Sequence, residues 1–114
     1  MSLTSVSRAL VQQPALIDVY NPFDGSLVGS VDNLGAEAVP ALLARARQGG
    51  RESAALPRHR RAAILEHAAQ LIERDAADFA GLIVDEAGKT LRQAEKEVKR
   101  CINTLKLSAE EARR

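Results

Sequence analysis

The sequence predicts a mainly α fold with an N-terminal β-hairpin, and three observations carry that reading. Two β-prone runs, Leu16-Ile17-Asp18-Val19-Tyr20 and Ser26-Leu27-Val28-Gly29-Ser30-Val31, flank Asn21-Pro22-Phe23-Asp24-Gly25, whose residue types are those of a tight turn. From about Ala36 onward, apolar residues recur at steps of three and four. Asp85-Glu86-Ala87-Gly88-Lys89-Thr90 then marks a stop and a restart. Gly88 can take a positive φ and close one helix, and Thr90 can cap the next with Gln93 completing a capping box.

Taken in order, residues 1–14 read as a loose polar tail that lacks the apolar core of a secretory leader. Two strands alone are marginal in water, so the hairpin over 16–31 must lean on helices or on another sheet. The first helix places Val39, Leu42, Leu43 and Ala46 on one face, with Gly49-Gly50 as its stop and Pro40 in its first turn. Pro57 suits the first position of a second helix with an inner stripe of Ile64, Leu65, Ala68, Leu71 and Ile72, ending near Arg74. Asp75 is placed to cap a third helix whose Phe79, Leu82 and Ile83 face inward. The fourth runs to the end with Leu91, Ala94, Val98, Cys101, Leu105, Ser108 and Ala112 in its apolar stripe, widened by Ile102 and Ala109. It would be roughly 36 Å long at 1.5 Å per residue, too long for the short upstream elements to cover along its whole length.

At 114 residues the chain is one domain at most, or a piece of one. Hydrophobic residues make up 46% but aromatic residues only 3%, so the core is built of small and aliphatic side chains and its stability is modest. Sixteen Lys and Arg against fifteen Asp and Glu leave a net charge of +1, which gives nucleic acid or an anionic membrane no electrostatic handle. One cysteine, Cys101, excludes an internal disulfide and a multi-cysteine zinc site, and it fits a reducing, cytoplasmic setting.

The candidate chemistry is thin. Gly88-Lys89-Thr90 has the ending of a phosphate loop, but that motif needs glycine where Ile83 stands and a strand where the pattern is helical. A helix-to-helix turn accounts for it better. Cys101 has Lys99 and Arg100 beside it, which could lower a thiol pKa, yet the repeat assigns it to the core. His59 and His67 share no metal-ligand spacing with each other or with Cys101 and read as surface residues. Arg58, His59, Arg60 and Arg61 crowd a helix N-terminus and read as a solvated patch rather than an anion site. Glu73, Asp75, Asp78, Asp85 and Glu86 form no defined acid–base pair. The residues therefore predict no catalytic, cofactor-binding or metal-binding site within the chain.

The order of small motifs carries more than any one of them. Asn21-Pro22 with Gly25, Leu56-Pro57 with Arg61, Arg74 before a capped helix, Glu86-Ala87-Gly88-Lys89-Thr90 with Glu97-Val98, and Ala109-Glu110-Glu111-Ala112 together resemble the N-terminal segment of the aldehyde dehydrogenase superfamily. The resemblance covers about residues 15–114. It implies a full-length parent that oxidises aldehydes with NAD or NADP through a cysteine nucleophile, a glutamate base and an amide oxyanion site. Cys101, Glu86 and Glu97 do not match those positions, so the chain alone is expected to be inactive, and no metal is expected although some members hold a structural cation near the position of Glu86.

The resemblance further implies that residues 15–114 are an incomplete coenzyme-binding domain of an α/β fold, packed against the rest of its chain, in a parent that assembles through a separate arm. The run from Lys99 to Ala112 looks most like members acting on small oxygenated or phosphorus-bearing aldehydes such as lactaldehyde or phosphonoacetaldehyde. The alternative is a free-standing helical interaction module without catalysis. On either reading the uncovered apolar stripe of the last helix predicts self-association.

Overall fold

A computed structural model describes residues 15–114, and the tail expected over residues 1–14 lies outside the described residues. The chain forms strands β1 (Leu16–Tyr20) and β2 (Leu27–Asp32), a 3₁₀ turn over Ala36–Ala38, and helices α1 (Val39–Ala55), α2 (Arg58–Arg74), α3 (Ala76–Ala87) and α4 (Leu91–Arg113). A mainly helical chain with an N-terminal hairpin is what the sequence led us to expect.

The hairpin is antiparallel, with Leu16 opposite Asp32 and Val19 opposite Gly29, and a bulge follows between Val19 and Tyr20. Its loop is closed by the side chains expected to turn it. The Phe23 amide donates to Asn21 Oδ1 (2.9 Å), the Ser26 amide to Asp24 Oδ1 (2.9 Å), and Gly25 takes a φ of 74°. Those bonds, from the Ser26 hydroxyl first and its amide second, hold the Asp24 carboxyl below its ordinary range. Across the strands the Ser30 hydroxyl donates to Asp18 Oδ1 at 2.6 Å.

α1 runs through Gly49-Gly50 instead of stopping there. Neither glycine has a positive φ, so each costs the helix only about 1 kcal/mol relative to alanine and does not break it. The true stop is Leu56, whose ψ of 138° is the extended geometry imposed on a residue before proline. Pro40 sits within the first turn, where its missing N–H is no loss. The face of Val39, Leu42 and Leu43 expected to be inward is exposed, because among the described elements only the short 3₁₀ turn makes more than slight contact with α1.

Pro57 stands at the N-cap of α2 rather than at its first helical position, and its carbonyl accepts from the amides of Arg60 and Arg61. The stripe that α2 buries is also rotated from the expected one. Ala62 and Ala69 are fully buried with Ile72 packed beside the core, while Ile64 is 58% exposed and Leu71 is exposed. α2 carries two apolar faces, and small residues win the contact because they let the helices approach closely.

The same rule governs α3. Ala80 is buried, with Ala76, Ile83 and Val84 against the core, whereas Phe79 and Leu82 remain 43% and 46% exposed. Asp75 occupies the N-cap position without capping: its carboxylate binds the Arg74 guanidinium at 2.6 and 2.7 Å instead. That ion pair, by its hydrogen bonds first, holds the Asp75 carboxyl down.

Gly88 closes α3 in the left-handed conformation at φ 63°, and its amide donates to the Val84 carbonyl at 2.9 Å. Thr90 then opens α4 with the full capping box, Thr90 Oγ1 and the Gln93 side chain each accepting from the other's backbone amide. Such a cap contributes about 1 kcal/mol.

α4 is buried at Ala94, Val98, Ile102 and Ala109, with Leu105 and Ala112 half-buried. Ala94, Val98, Leu105 and Ala112 hold their expected places together with Ile102 and Ala109, while Leu91, Cys101 and Ser108 are exposed, so Cys101 is not a core residue. The expected length mismatch is also resolved on this flank. α2 lies antiparallel along the second half of α4, with Lys106 to Glu73 at 3.0 Å and Arg113 paired to Glu66. α3 covers the first half, so the two shorter helices together run the length of the longer one.

The core that results is small. Ala69, Ala80, Ala94, Val98 and Ile102 form one cluster, and no large side chain among the described residues is fully buried. The Cα radius of gyration is 20.7 Å, where a compact domain of this length has about 13 Å.

Candidate functional site

An apolar groove lies where α2, α3 and α4 meet. Ala80 and Ala94, both buried, let α3 and α4 close together, and the larger neighbours then stand out as the walls of a groove of about 470 Å³. Ile72, Phe79, Ile83, Val98 and Leu105 form its apolar lining, with Cys101 and Thr104 on the α4 side. Glu97 and Arg100 stand on its rim and also line an adjoining polar cleft with Lys89, Gln93 and Lys96.

The polar groups here are already engaged. Lys89 Nζ forms an ion pair with Glu97 Oε1, and that bond, followed by the fields of Lys89 and Arg100, holds the Glu97 carboxyl below its ordinary range. The Thr104 hydroxyl donates to the Arg100 carbonyl at 2.9 Å. Cys101 therefore shares its groove with no imidazole and no carboxylate free to act as a base. His59 and His67 are both exposed on α2, as expected from their spacing.

The other singled-out residues disperse in the same way. Arg58 donates to the Arg114 carbonyl and Arg61 to the Leu56 carbonyl (2.7 Å). Glu73 and Asp75 are each spent on a cation. Among the described residues no three His, Cys, Asp or Glu side chains converge as a metal-ligand set, and no described helix is long and apolar enough to cross a membrane.

The Gly88-Lys89-Thr90 turn lies between two helices and is exposed. A Cβ on Gly88 would fall 2.8 Å from Pro22 Cγ, so the hairpin loop packs directly against this turn. The groove between the helices is lined chiefly by apolar side chains. Sequence reasoning missed the groove. Its signal was present in the second apolar ridges of α2 and α3, read as core because single-helix periodicity does not say which of two ridges is covered.

Three comparisons bear on where such a unit belongs. The model of the aldehyde dehydrogenase family matches residues 10–114. An aspartate-semialdehyde dehydrogenase of Pseudomonas canavaninivorans is 64% identical over all 114 residues, which span 24% of that protein. An aldehyde-dehydrogenase-like protein of Sinorhizobium fredii is 52% identical over the same residues, 22% of its length. A succinate-semialdehyde dehydrogenase (NADP) of Deinococcus radiodurans is 35% identical over 96 residues, 84% of this chain and 20% of that one. In three dimensions the chain superposes on the crystal structure of an NAD-dependent benzaldehyde dehydrogenase from Corynebacterium glutamicum with a TM-score of 0.82. That match has 27% identity and covers 90% of this chain and 22% of the other. The chain thus spans under a quarter of the length of the curated relatives it matches.

Proposed function

This chain belongs to the aldehyde dehydrogenase family, and we propose that it serves as the N-terminal helical part of an NAD(P)-dependent enzyme that oxidises a small, acid-bearing aldehyde. The observation that carries the reading is the 64% identity across the whole chain with an aspartate-semialdehyde dehydrogenase. The names of two further relatives, a succinate-semialdehyde and a sulfoacetaldehyde dehydrogenase, support a substrate with a carboxylate or sulfonate near the aldehyde. The lactaldehyde and phosphonoacetaldehyde suggested by Lys99–Ala112 belong to the same class of small polar aldehydes, and the relatives move the emphasis toward the acid-bearing ones.

By itself the 114-residue chain is inactive on this reading, and its role is to be packed against. Nicotinamide coenzyme would supply the hydride acceptor in the parent; the residues described here supply the scaffold, through the α2–α4 pair and the apolar surface beside it. Sixteen large hydrophobic side chains are exposed among the described residues, against a buried core that is mostly alanine, which is the balance of a part rather than of a whole.

The test is an assay of nicotinamide reduction with aspartate semialdehyde, succinate semialdehyde and lactaldehyde as substrates. The product of the uninterrupted coding sequence and the 114-residue chain are assayed side by side. The longer product is expected to turn over the acid-bearing aldehydes, and the short chain none of them. Turnover by the short chain would overturn its inactivity. A preference of the longer product for lactaldehyde would overturn the substrate class. A coding sequence that stops at Arg114 would favour a free-standing helical module.

A further inference from the structure

We propose that the groove where α2, α3 and α4 meet receives a segment of the parent enzyme that carries a carboxylate beside its apolar side chains, and that Arg100 pairs with that carboxylate. The inference rests on the reading of this chain as part of a longer aldehyde dehydrogenase and states the chemistry of the part that covers this surface.

The first argument is that two unlike surfaces are joined. The apolar groove of Ile72, Phe79, Ile83, Val98 and Leu105 opens into a polar cleft of about 400 Å³, and the two share Glu97 and Arg100 as a common wall. The cleft is cationic: Lys89, Lys96 and Arg100 line it with Gln93, and Glu97 is the only carboxylate of its lining. Lys89 is held by Glu97. Arg100 and Lys96 are exposed, and among the described residues no carboxylate lies within ion-pair distance of either.

The second argument is what covering the groove requires. A segment that buries Phe79 and Leu105 must also pass over Arg100, because all three line one recess. A guanidinium stripped of water is strongly unfavourable unless an anion replaces its hydration, and its planar fork matches a carboxylate with two parallel hydrogen bonds. A purely apolar segment would fit the groove and fail at its rim. One with an Asp or Glu next to its apolar residues satisfies both.

The third argument is source. The chain spans 24% of the aspartate-semialdehyde dehydrogenase it resembles, so about three-quarters of such an enzyme can supply the segment. A second copy is a poorer match, since its own groove face would bring the same cations with Glu97 already paired.

The experiment follows Cys101, which lines the groove and is exposed in the isolated chain. Its alkylation by a small maleimide, read by peptide mass, is compared in the 114-residue chain and in the product of the uninterrupted coding sequence. In the longer product the thiol is expected to react more slowly by an order of magnitude or more. Arg100→Glu and, as a milder change should that variant fail to fold, Arg100→Met are each measured at both lengths, so that the direct influence of residue 100 on the neighbouring thiol cancels in the ratio. Both should forfeit most of the protection, and Arg100→Lys should keep part of it. Arg92→Glu, on α4 but outside both linings, should keep all of it. Protection that survives both Arg100→Glu and Arg100→Met would overturn the carboxylate. A longer product that oxidises aldehydes while its Cys101 stays as reactive as in the short chain would overturn the docking and leave the proposed function standing. Slowing in the short chain as its concentration rises would assign the groove to a second copy and overturn the inference. A coding sequence that ends at Arg114 would overturn it together with the proposed function.

Discussion

Replacing Gly88 by alanine should destabilise the chain by about 1–3 kcal/mol, for two separable reasons. The φ of 63° at this residue is the left-handed region, where an L side chain costs about 1–2 kcal/mol. The new Cβ would also lie 2.8 Å from Pro22 Cγ, inside contact distance, so the hairpin loop must move off the α3–α4 turn. Against these stands the smaller entropy of the unfolded alanine chain, worth about 0.4–1 kcal/mol in the opposite direction. Urea denaturation followed by far-UV dichroism measures the sum.

A cycle with Pro22→Ala separates the two terms. Removing Cγ leaves Pro22 Cβ as the next contact, 3.8 Å away, so the double variant should keep the conformational cost and lose the steric one. Gly49→Ala is the opposing control: that glycine is helical with nothing within 4 Å of an added Cβ, so the change should stabilise by about 0.5–1 kcal/mol. If Gly88→Ala were as stable as the parent chain, or if the Pro22 background left its cost unchanged, the account of the turn would be wrong.

Two further outcomes follow from packing and charge. Ala94→Leu, at a fully buried position facing the α3 contact, should cost about 1–3 kcal/mol by forcing α3 and α4 apart, which a lowered urea midpoint would register. Glu97, Asp75 and Asp24 all have folded pKa values below their unfolded ones, so their contribution is present above the ordinary carboxylate range and is lost as pH falls through the depressed values. The melting temperature should therefore decline on acidification below that range, less steeply in high salt because the Arg74–Asp75 and Lys89–Glu97 pairs are partly open to solvent. Lys89→Met should raise the Glu97 titration toward the ordinary value in a carboxylate-detected NMR experiment; an unmoved titration would disprove the cause assigned to it.

The placement of the hairpin, the positive-φ stop at Gly88 and the Thr90–Gln93 capping box were all legible in the sequence, because each depends on residues within five positions of one another. The family resemblance was legible too, carried by the order of short motifs from Asn21 to Ala112. The covered ridge was legible only in part: Ile72, Ile83, Ala94, Val98, Ile102 and Leu105 lie in or against the core as expected, while Ile64, Leu71, Phe79, Leu82 and Cys101 do not. α2, α3 and α4 each carry apolar residues on more than one face, and periodicity treats Ile64, Phe79 and Cys101 as readily as Ala69, Ala80 and Ile102.

The sequence alone determined the kind and order of the elements, since turn, cap and proline chemistry act over one or two turns of chain. Only the tertiary structure decided the core. Helix axes approach closest where alanines face each other, so Ala69, Ala80 and Ala94 are buried with Val98 and Ile102, while bulkier Phe79 and Leu82 are left exposed. That choice depends on distances between residues far apart in the chain, and it created the groove beside Cys101.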